Sequence, residues 1–125
     1  LGNVYGIGGK GIINQLLQKV NQNNSTIKIR NGVRDFIYVD DVCKAIELAM
    51  KDILKQNYFS IENITTGTAY SIFEVVKLIE DETNHKFMVV EEPLFPDEIK
   101  ISFHPSAITF PMTKLREGIR KCLKL

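Results

Sequence analysis

A chain of 125 residues is the size of one domain and is long enough to bury roughly two thirds of its unfolded surface in a single core. Its 16 basic and 15 acidic side chains leave a net charge of +1, which gives no reason to expect a nucleic acid or an anionic membrane as partner. No segment reaches the roughly 20 apolar residues of a membrane span, and no secretion signal opens the chain, so we expect a cytoplasmic protein.

The first elements alternate between strand and helix patterns. Residues 1–5 are predicted as a strand that enters a glycine-rich turn. Apolar residues then recur at the spacing of one helical face, formed by Ile12, Ile13, Leu16, Leu17 and Val20. Next, "TIKIR" alternates like a strand, Asn31 and Gly32 predict a turn, and "DFIYV" predicts a second strand. These two strands are predicted to pair with each other.

The second half continues the alternation. Asp40 or Asp41 is predicted to cap a helix whose buried stripe comprises Val42, Ala45, Ile46, Ala49, Met50 and Ile53. A strand is predicted over residues 58–64, and "SIFE" is a capping box, in which Ser71 and Glu74 satisfy each other's backbone donors. The helix that follows would bury Ile72, Val75, Val76 and Ile79.

The chain closes with a strand at "KFMVV", an irregular Pro-rich stretch over residues 91–111, and a helix from about residue 113. Because helices alternate with strands throughout, the fold class is predicted to be α/β, in a single domain over residues 1–125. Cys43 and Cys122 lie far apart without metal-ligand spacing, which predicts two reduced thiols and no metal site.

Gly6, Gly8 and Gly11 follow the spacing G-x-G-x-x-G, in which glycines let backbone amides approach the pyrophosphate of a dinucleotide. Such a site also needs an acid about 20 residues further on, whereas the first acid here is Asp35. Arg30 would replace that acid if the cofactor carried a 2′-phosphate. From spacing alone a ligand-free turn, another anion site and a nicotinamide cofactor site all remain open.

The most specific run is "GVRDFIYVDDV". Arg34 lies in this run between the predicted turn and the predicted strand. There its planar guanidinium could make paired hydrogen bonds to a phosphate. The alternative is a surface ion pair between Arg34 and Asp35 or Asp41, worth under about 1 kcal/mol.

The order of "NVYG", an apolar helix, "RDFIYVDDV", "NITTGTAYSIFEVVKLI", a Pro-rich stretch and "LREGIRK" resembles the C-terminal half of extended short-chain dehydrogenase/reductases. These are NAD-dependent sugar-nucleotide epimerases and dehydratases of the UDP-glucose 4-epimerase type. The resemblance implies the C-terminal substrate-binding portion of an extended Rossmann-type enzyme, without its N-terminal cofactor-binding sheet. Since the chain begins at Leu1 within an apolar run, we interpret it as a piece of a longer polypeptide or a processed chain.

The resemblance also implies roles for particular residues. Asn3 matches the family asparagine that hydrogen-bonds the nucleotide sugar near its pyrophosphate, and Arg34 matches the arginine that contacts the pyrophosphate. The family's "RPGD" is "FPDE" here, so Phe95 stands where a second phosphate-binding arginine is usual, and Lys100 is expected to compensate as a point charge. Residues 63–67 match the family's "NIGTG" strand and turn, with a structural role. The turn before Arg34 is shorter than in the family.

The family's cofactor fingerprint and Tyr-x-x-x-Lys pair lie upstream of "NVYG", and no tyrosine in this chain has a lysine four residues later. We therefore expect no catalytic, cofactor-binding or metal residue here, and no activity from this chain alone. The parent enzyme would bind NAD or NADP and act on a nucleotide-diphosphate sugar. The sugar, the nucleotide and the type of reaction stay open, and the glycine spacing becomes an accidental match.

Two other classes of function remain open. The chain would then be a stand-alone module that binds a nucleotide or phosphosugar, or a non-catalytic interaction or structural remnant. If the family interpretation holds, residues 1–25 and about 58–85 would pack on the missing cofactor-binding domain. Without that domain they expose edges and apolar faces, which predicts a homo-oligomer or self-association.

Overall fold

The computed structural model describes residues 1–56, 61–99 and 108–124. The described residues form five strands, four α-helices and one 3₁₀-helix, which confirms the α/β class. In chain order these are β1 (Asn3–Tyr5), α1 (Ile12–Asn21), β2 (Thr26–Ile29), β3 (Val33–Tyr38), α2 (Val39–Gln56), β4 (Ala69–Ser71), α3 (Ile72–Thr83), β5 (Met88–Glu91), the 3₁₀-helix Pro96–Ile99 and α4 (Leu115–Leu123).

The strands form two small sheets. In the first, β3 lies in the middle, parallel to β1 and antiparallel to β4. In the second, β2 pairs with β5 in parallel. The predicted pairing of β2 with β3 is therefore wrong. A tight hairpin turn of the common type needs positive φ at both central residues, and neither Asn31 nor Gly32 has it. Instead Gly32 N–H donates to Arg30 O at 2.9 Å, and the chain passes from one sheet to the other.

The main core lies between the strands and helices α1, α3 and α4. It confirms the predicted face of α3, whose four apolar residues are all buried, and the predicted face of α1, whose residues are buried or half-buried. The buried set comprises Tyr5, Ile13, Leu16, Leu17, Ile27, Ile29, Phe36, Tyr38, Ile72, Val75, Val76, Ile79, Leu115 and Ile119. A second, smaller cluster joins Ile37, Val42, Ala45 and Ile64.

The predicted capping box at the start of α3 is confirmed. Glu74 N–H donates to Ser71 Oγ at 3.2 Å, and Ser71 N–H donates to Glu74 Oε2 at 2.7 Å. These hydrogen bonds hold the pKa of the Glu74 carboxyl below its usual range, because they favour the charged form.

Helix α2 departs from its predicted pattern in two ways. It begins at Val39, directly after β3, so Asp40 and Asp41 lie inside its first turn and the prediction that they cap the helix is wrong. There they still face the positive end of the helix dipole. The predicted buried stripe holds for Val42 and Ala45 only, whereas Ala49 is half-buried and three other members are exposed: Ile46, Met50 and Ile53, at 47%, 58% and 45%. The described parts of the chain cover only the first half of this face.

The strand predicted over residues 58–64 falls partly outside the described residues, and residues 61–64 are not a strand. Gly2 N–H nevertheless donates to Ile64 O at 2.9 Å, so this segment runs beside the start of β1. Across the ranges that the structure describes, no helix has both the length and the apolar character that crossing a membrane requires.

Candidate functional site

Arg34 lies near the start of β3 with its guanidinium partly exposed. Its Nη1 donates to Val33 O at 2.8 Å, and its Nη2 lies 3.4 Å from Oε1 of Glu98, in the 3₁₀-helix. The carboxylate beside Arg34 is therefore Glu98, and the alternative pairing with Asp35 or Asp41 is wrong. Since the Arg34 side chain is 29% exposed, an ion pair of this kind contributes under about 1 kcal/mol and can be exchanged for another anion.

Asp35 faces the other way and is buried, with 3% of its surface exposed. Its Oδ1 accepts hydrogen bonds from the Thr66 amide at 3.0 Å and the Thr66 hydroxyl at 2.9 Å, and its Oδ2 accepts one from the Gly67 amide at 2.7 Å. Gly67 has φ of +76°, a conformation that favours glycine. The carboxylate thus ties β3 to the loop of residues 65–68 and fixes the backbone that carries Arg34.

Asn3 lies on the strand beside Arg34. It is opposite Phe36 in the register of β1 and β3, and strand alternation puts residues 34 and 36 on one face, so Asn3 and Arg34 share a face. Their Cα atoms are about 8 Å apart, because they lie on neighbouring strands and are offset by two residues along the strand direction. Asn3 is exposed, and its Nδ2 makes only a long contact, 3.5 Å, to Asp35 O. The structure therefore brings two of the three predicted site residues together, while Lys100 lies outside the described residues.

A different cation lies beside Phe95. The guanidinium carbon of Arg30 is 4.2 Å from the centroid of the Phe95 ring. Arg30 Nε donates to Pro93 O at 3.2 Å, and Nη2 lies 3.3 Å from Oε2 of Glu92. Sequence reasoning missed this arrangement, because it considered Arg30 only as a substitute for an acid in a dinucleotide site. The signal available was an arginine at each end of the short segment "RNGVR".

The glycine turn does not fit a dinucleotide. Its Gly6 carbonyl accepts hydrogen bonds from Gly9 N–H at 3.2 Å and from Asn14 Nδ2 at 2.6 Å, so the turn closes on itself. The other side-chain atom, Asn14 Oδ1, is a buried acceptor without a hydrogen-bond partner among the described residues, and it would repel a phosphate. The strand after α1, which should lie beside β1 in a dinucleotide site, belongs to the other sheet. Gly8, with φ of +78°, serves the turn.

Tyr5 and Tyr38 are buried and pack against each other. Tyr5 donates its hydroxyl hydrogen bond to Leu115 O at 3.4 Å, and its ring meets that of Tyr38 edge-on at 5.5 Å. Burial raises the pKa of both phenols, and it also raises the pKa of the Cys122 thiol. Over the part of the chain that the structure covers, no cluster of three or more His, Cys, Asp or Glu side chains could hold a metal ion.

A cavity of about 420 Å³ opens between the loop of residues 65–68 and residues 108–115. Two buried carboxylates hold its walls. Asp35 binds Thr66 and Gly67, and Asp41 accepts hydrogen bonds from the Thr113 amide at 2.8 Å and the Thr113 hydroxyl at 3.2 Å. Asp41 therefore fastens the segment before α4 onto α2. Neither Asn3 nor Arg34 lines this cavity.

A family model, described as the NAD dependent epimerase/dehydratase family, matches residues 1–62. Among curated proteins, the chain is 35% identical over 68 residues to UDP-glucose 4-epimerase of Bifidobacterium longum, covering 54% of this chain and 20% of the relative. It is 30% identical over 99 residues to GDP-6-deoxy-D-talose 4-dehydrogenase of Aggregatibacter actinomycetemcomitans, covering 74% and 32%. The chain thus spans a third or less of these relatives.

Solved structures show the same fold. A UDP-glucose-4-epimerase from Stenotrophomonas maltophila, with bound NAD and formylated UDP-arabinopyranose, has a TM-score of 0.85 at 19% identity, covering 98% of this chain and 45% of that one. The UDP-glucose 4-epimerase of Thermotoga maritima, with UDP-glucose, has a TM-score of 0.77 at 22% identity, covering 98% and 43%. These structures show the fold, and the family model and the sequence relatives show, as the resemblance implied, that the chain belongs to the NAD-dependent epimerase/dehydratase family.

Proposed function

We propose that this chain is the substrate-binding part of a nucleotide-sugar epimerase or dehydratase, and that it binds the substrate diphosphate through Asn3 and Arg34. The observation that carries the proposal is the placement of Arg34, a partly exposed guanidinium on a backbone fixed by buried Asp35. A guanidinium binds phosphate oxygens through two parallel N–H donors. An amide on the same face adds a third donor, since Asn3 Nδ2 makes only one long contact.

The rest of the chemistry is proposed to come from the remainder of the protein. That remainder would bind NAD or NADP and carry the catalytic Tyr and Lys, so this chain alone would be inactive. The cofactor supplies hydride exchange with a sugar carbon when bound. The residues of this chain contribute by holding the diphosphate, which orients the sugar toward that part. The glycine turn, closed on its own carbonyl, supports this division.

The names of the relatives support a proposal for the substrate class. Two of them are named for UDP-glucose and for a GDP-deoxysugar, and the neighbours described above hold UDP-sugars. Sugar and base differ among these names, whereas the nucleoside diphosphate is common to all. We therefore propose a nucleotide-diphosphate sugar as the ligand, and a diphosphate contact from Arg34 suits each of them.

Exposed apolar surface supports packing on the cofactor-binding part. Leu1, Val4 and Ile7, within the segment of residues 1–25, are 72%, 42% and 58% exposed. We propose that this segment and part of residues 58–85 lie against that domain, and that the exposed half of α2 extends the same interface. An isolated chain would associate with itself through these faces.

The test is Arg34→Ala in the complete protein. The matched control is Arg120→Ala, because Arg120 lies on α4 and also pairs with a carboxylate, that of Glu82. Calorimetry with UDP-glucose and GDP-sugars should show at least tenfold weaker binding for Arg34→Ala, equivalent to about 1.4 kcal/mol. Asn3→Ala should weaken binding less, because it removes a neutral donor. Unchanged affinity and unchanged kcat in Arg34→Ala would remove this residue from the site.

A further inference from the structure

Two arginines contact one acidic segment. Arg30 follows β2 and Arg34 lies on β3, so three residues separate them. Both reach residues 92–98, here termed the acidic strap. Arg30 Nη2 lies 3.3 Å from Glu92 Oε2, and Arg34 Nη2 lies 3.4 Å from Glu98 Oε1. The two ends of the strap are thus each paired with one guanidinium.

The acidic strap holds Arg30 in a defined orientation. The Arg30 guanidinium lies over the Phe95 ring at 4.2 Å, and Arg30 Nε donates to Pro93 O at 3.2 Å. Stacking on an aromatic face fixes the plane of a guanidinium while its N–H edge stays open to other acceptors. With 37% of its side chain exposed, and with no contact of Nη1 among the described residues, Arg30 has donors available to a ligand.

Glu98 links the two arginines. Its Oε2 accepts the Phe95 amide hydrogen bond at 2.8 Å, and its Oε1 faces Arg34. Glu98 N–H in turn donates to Phe95 O at 3.0 Å. The ring beneath Arg30 and the carboxylate on Arg34 therefore belong to a single hydrogen-bonded turn, and both guanidiniums contact that turn.

We propose that Arg30 and Arg34 form one diphosphate site, in which the carboxylates of Glu92 and Glu98 occupy the guanidiniums until a diphosphate replaces them. This rests on the proposed function of Arg34 and adds Arg30 as the second cationic contact. The Glu92 and Glu98 side chains are partly exposed, at 36% and 21%, so water competes for these carboxylates. Phosphate oxygens form stronger, bidentate bonds to a guanidinium, so the exchange favours the diphosphate. The displaced carboxylates return to water.

The strap also makes the site selective. It carries Asp97 besides Glu92 and Glu98, and these charges oppose an anion that does not engage both arginines. A diphosphate can occupy both guanidiniums at once, while a single phosphate replaces only one carboxylate. The site should therefore prefer inorganic pyrophosphate to orthophosphate, independently of any base or sugar.

The experiment titrates the complete protein with inorganic pyrophosphate and, separately, with orthophosphate, followed by NMR chemical shifts. Arg30→Gln should weaken pyrophosphate binding at least tenfold and orthophosphate binding less than threefold. Glu98→Gln should tighten pyrophosphate binding several-fold, because its amide oxygen can still accept the Phe95 N–H while its negative charge is gone. Glu47→Gln is the control, since Glu47 pairs with Lys44 and Lys51 on α2.

Unchanged pyrophosphate affinity in Arg30→Gln, or weaker affinity in Glu98→Gln, would overturn the proposal. The gain expected from Glu98→Gln cannot arise from misfolding, so the two variants together protect against a folding artefact. If Arg34→Ala weakens nucleotide-sugar binding while Arg30→Gln leaves pyrophosphate binding unchanged, the proposed function stands and the shared site falls. If Arg34→Ala also has no effect, both fall.

Discussion

Asp35→Asn is expected to destabilise the protein by about 2–4 kcal/mol. The wild-type carboxylate accepts three hydrogen bonds, two from Thr66 at Oδ1 and one from Gly67 at Oδ2. An amide oriented with its oxygen toward Thr66 points its NH₂ at the Gly67 amide, so two donors face each other in a part-buried site, at a cost of about 1–3 kcal/mol. The two surviving bonds lose their charge assistance at about 1 kcal/mol each at most.

Urea denaturation followed by circular dichroism measures this loss, and amide hydrogen exchange at Gly67 locates it. The control is Asp52→Asn, an exposed aspartate on α2, which should change the free energy of unfolding by no more than about 0.5 kcal/mol. Asp35→Asn with the stability of that control would show that the loop of residues 65–68 does not depend on the carboxylate, and the argument that Asp35 fixes the Arg34 backbone would fail.

Three other predictions concern the core and its helix ends. Ser71→Ala removes the capping hydroxyl of α3 and should lower the unfolding free energy by about 0.5–2 kcal/mol in urea. Gly118→Ala places a methyl group against the Tyr5 hydroxyl, so thermal unfolding should show a free energy of unfolding lower by about 1–3 kcal/mol. The double variant with Tyr5→Phe should recover part of this loss. Full stability of the single variant would contradict that packing. Arg120 and Arg116 hold the pKa of Glu82 below its usual value of 4.5, so this carboxylate contributes stability above pH 4.5 that is lost as the pH falls through the folded pKa. Glu82→Gln should therefore melt lower than wild type at pH 7, and the difference should shrink as the pH falls below 4.5. A difference that stays constant through this range would refute the assignment.

Local patterns predicted the helices and the N-terminal cap of α3, because these depend on neighbouring residues. The box at Ser71 and the apolar face of α3 are examples, since spacing within one helical turn defines both. Strand pairing depends on distant segments instead. A run such as "TIKIR" shows alternation but not its partner, and the partner of β2 is β5, about 60 residues further along the chain.

The candidate site shows the same division. Asn3 and Arg34 were found through the resemblance, and the register of β1 and β3 is what puts them on one face. Arg30 and Glu98 were missed because their contacts join segments more than 60 residues apart. The exposed half of α2 was predicted as buried, since periodicity identifies an apolar face and cannot say whether the same chain covers it.

Burial separates the carboxylates around β3 into two kinds. Asp35 and Asp41 are buried, at 3% and 8% exposure, and each is satisfied by backbone amides and threonine hydroxyls, so replacing them leaves orphaned donors and costs stability. Glu92 and Glu98 are partly exposed and face guanidiniums, so water can solvate these carboxylates when an anion displaces them. Of the first kind, Asp35 holds the loop of residues 65–68 against the strand that carries Arg34. The second kind can be exchanged for another anion. A ligand that needs two guanidiniums can therefore displace the strap carboxylates without disturbing the loop of residues 65–68.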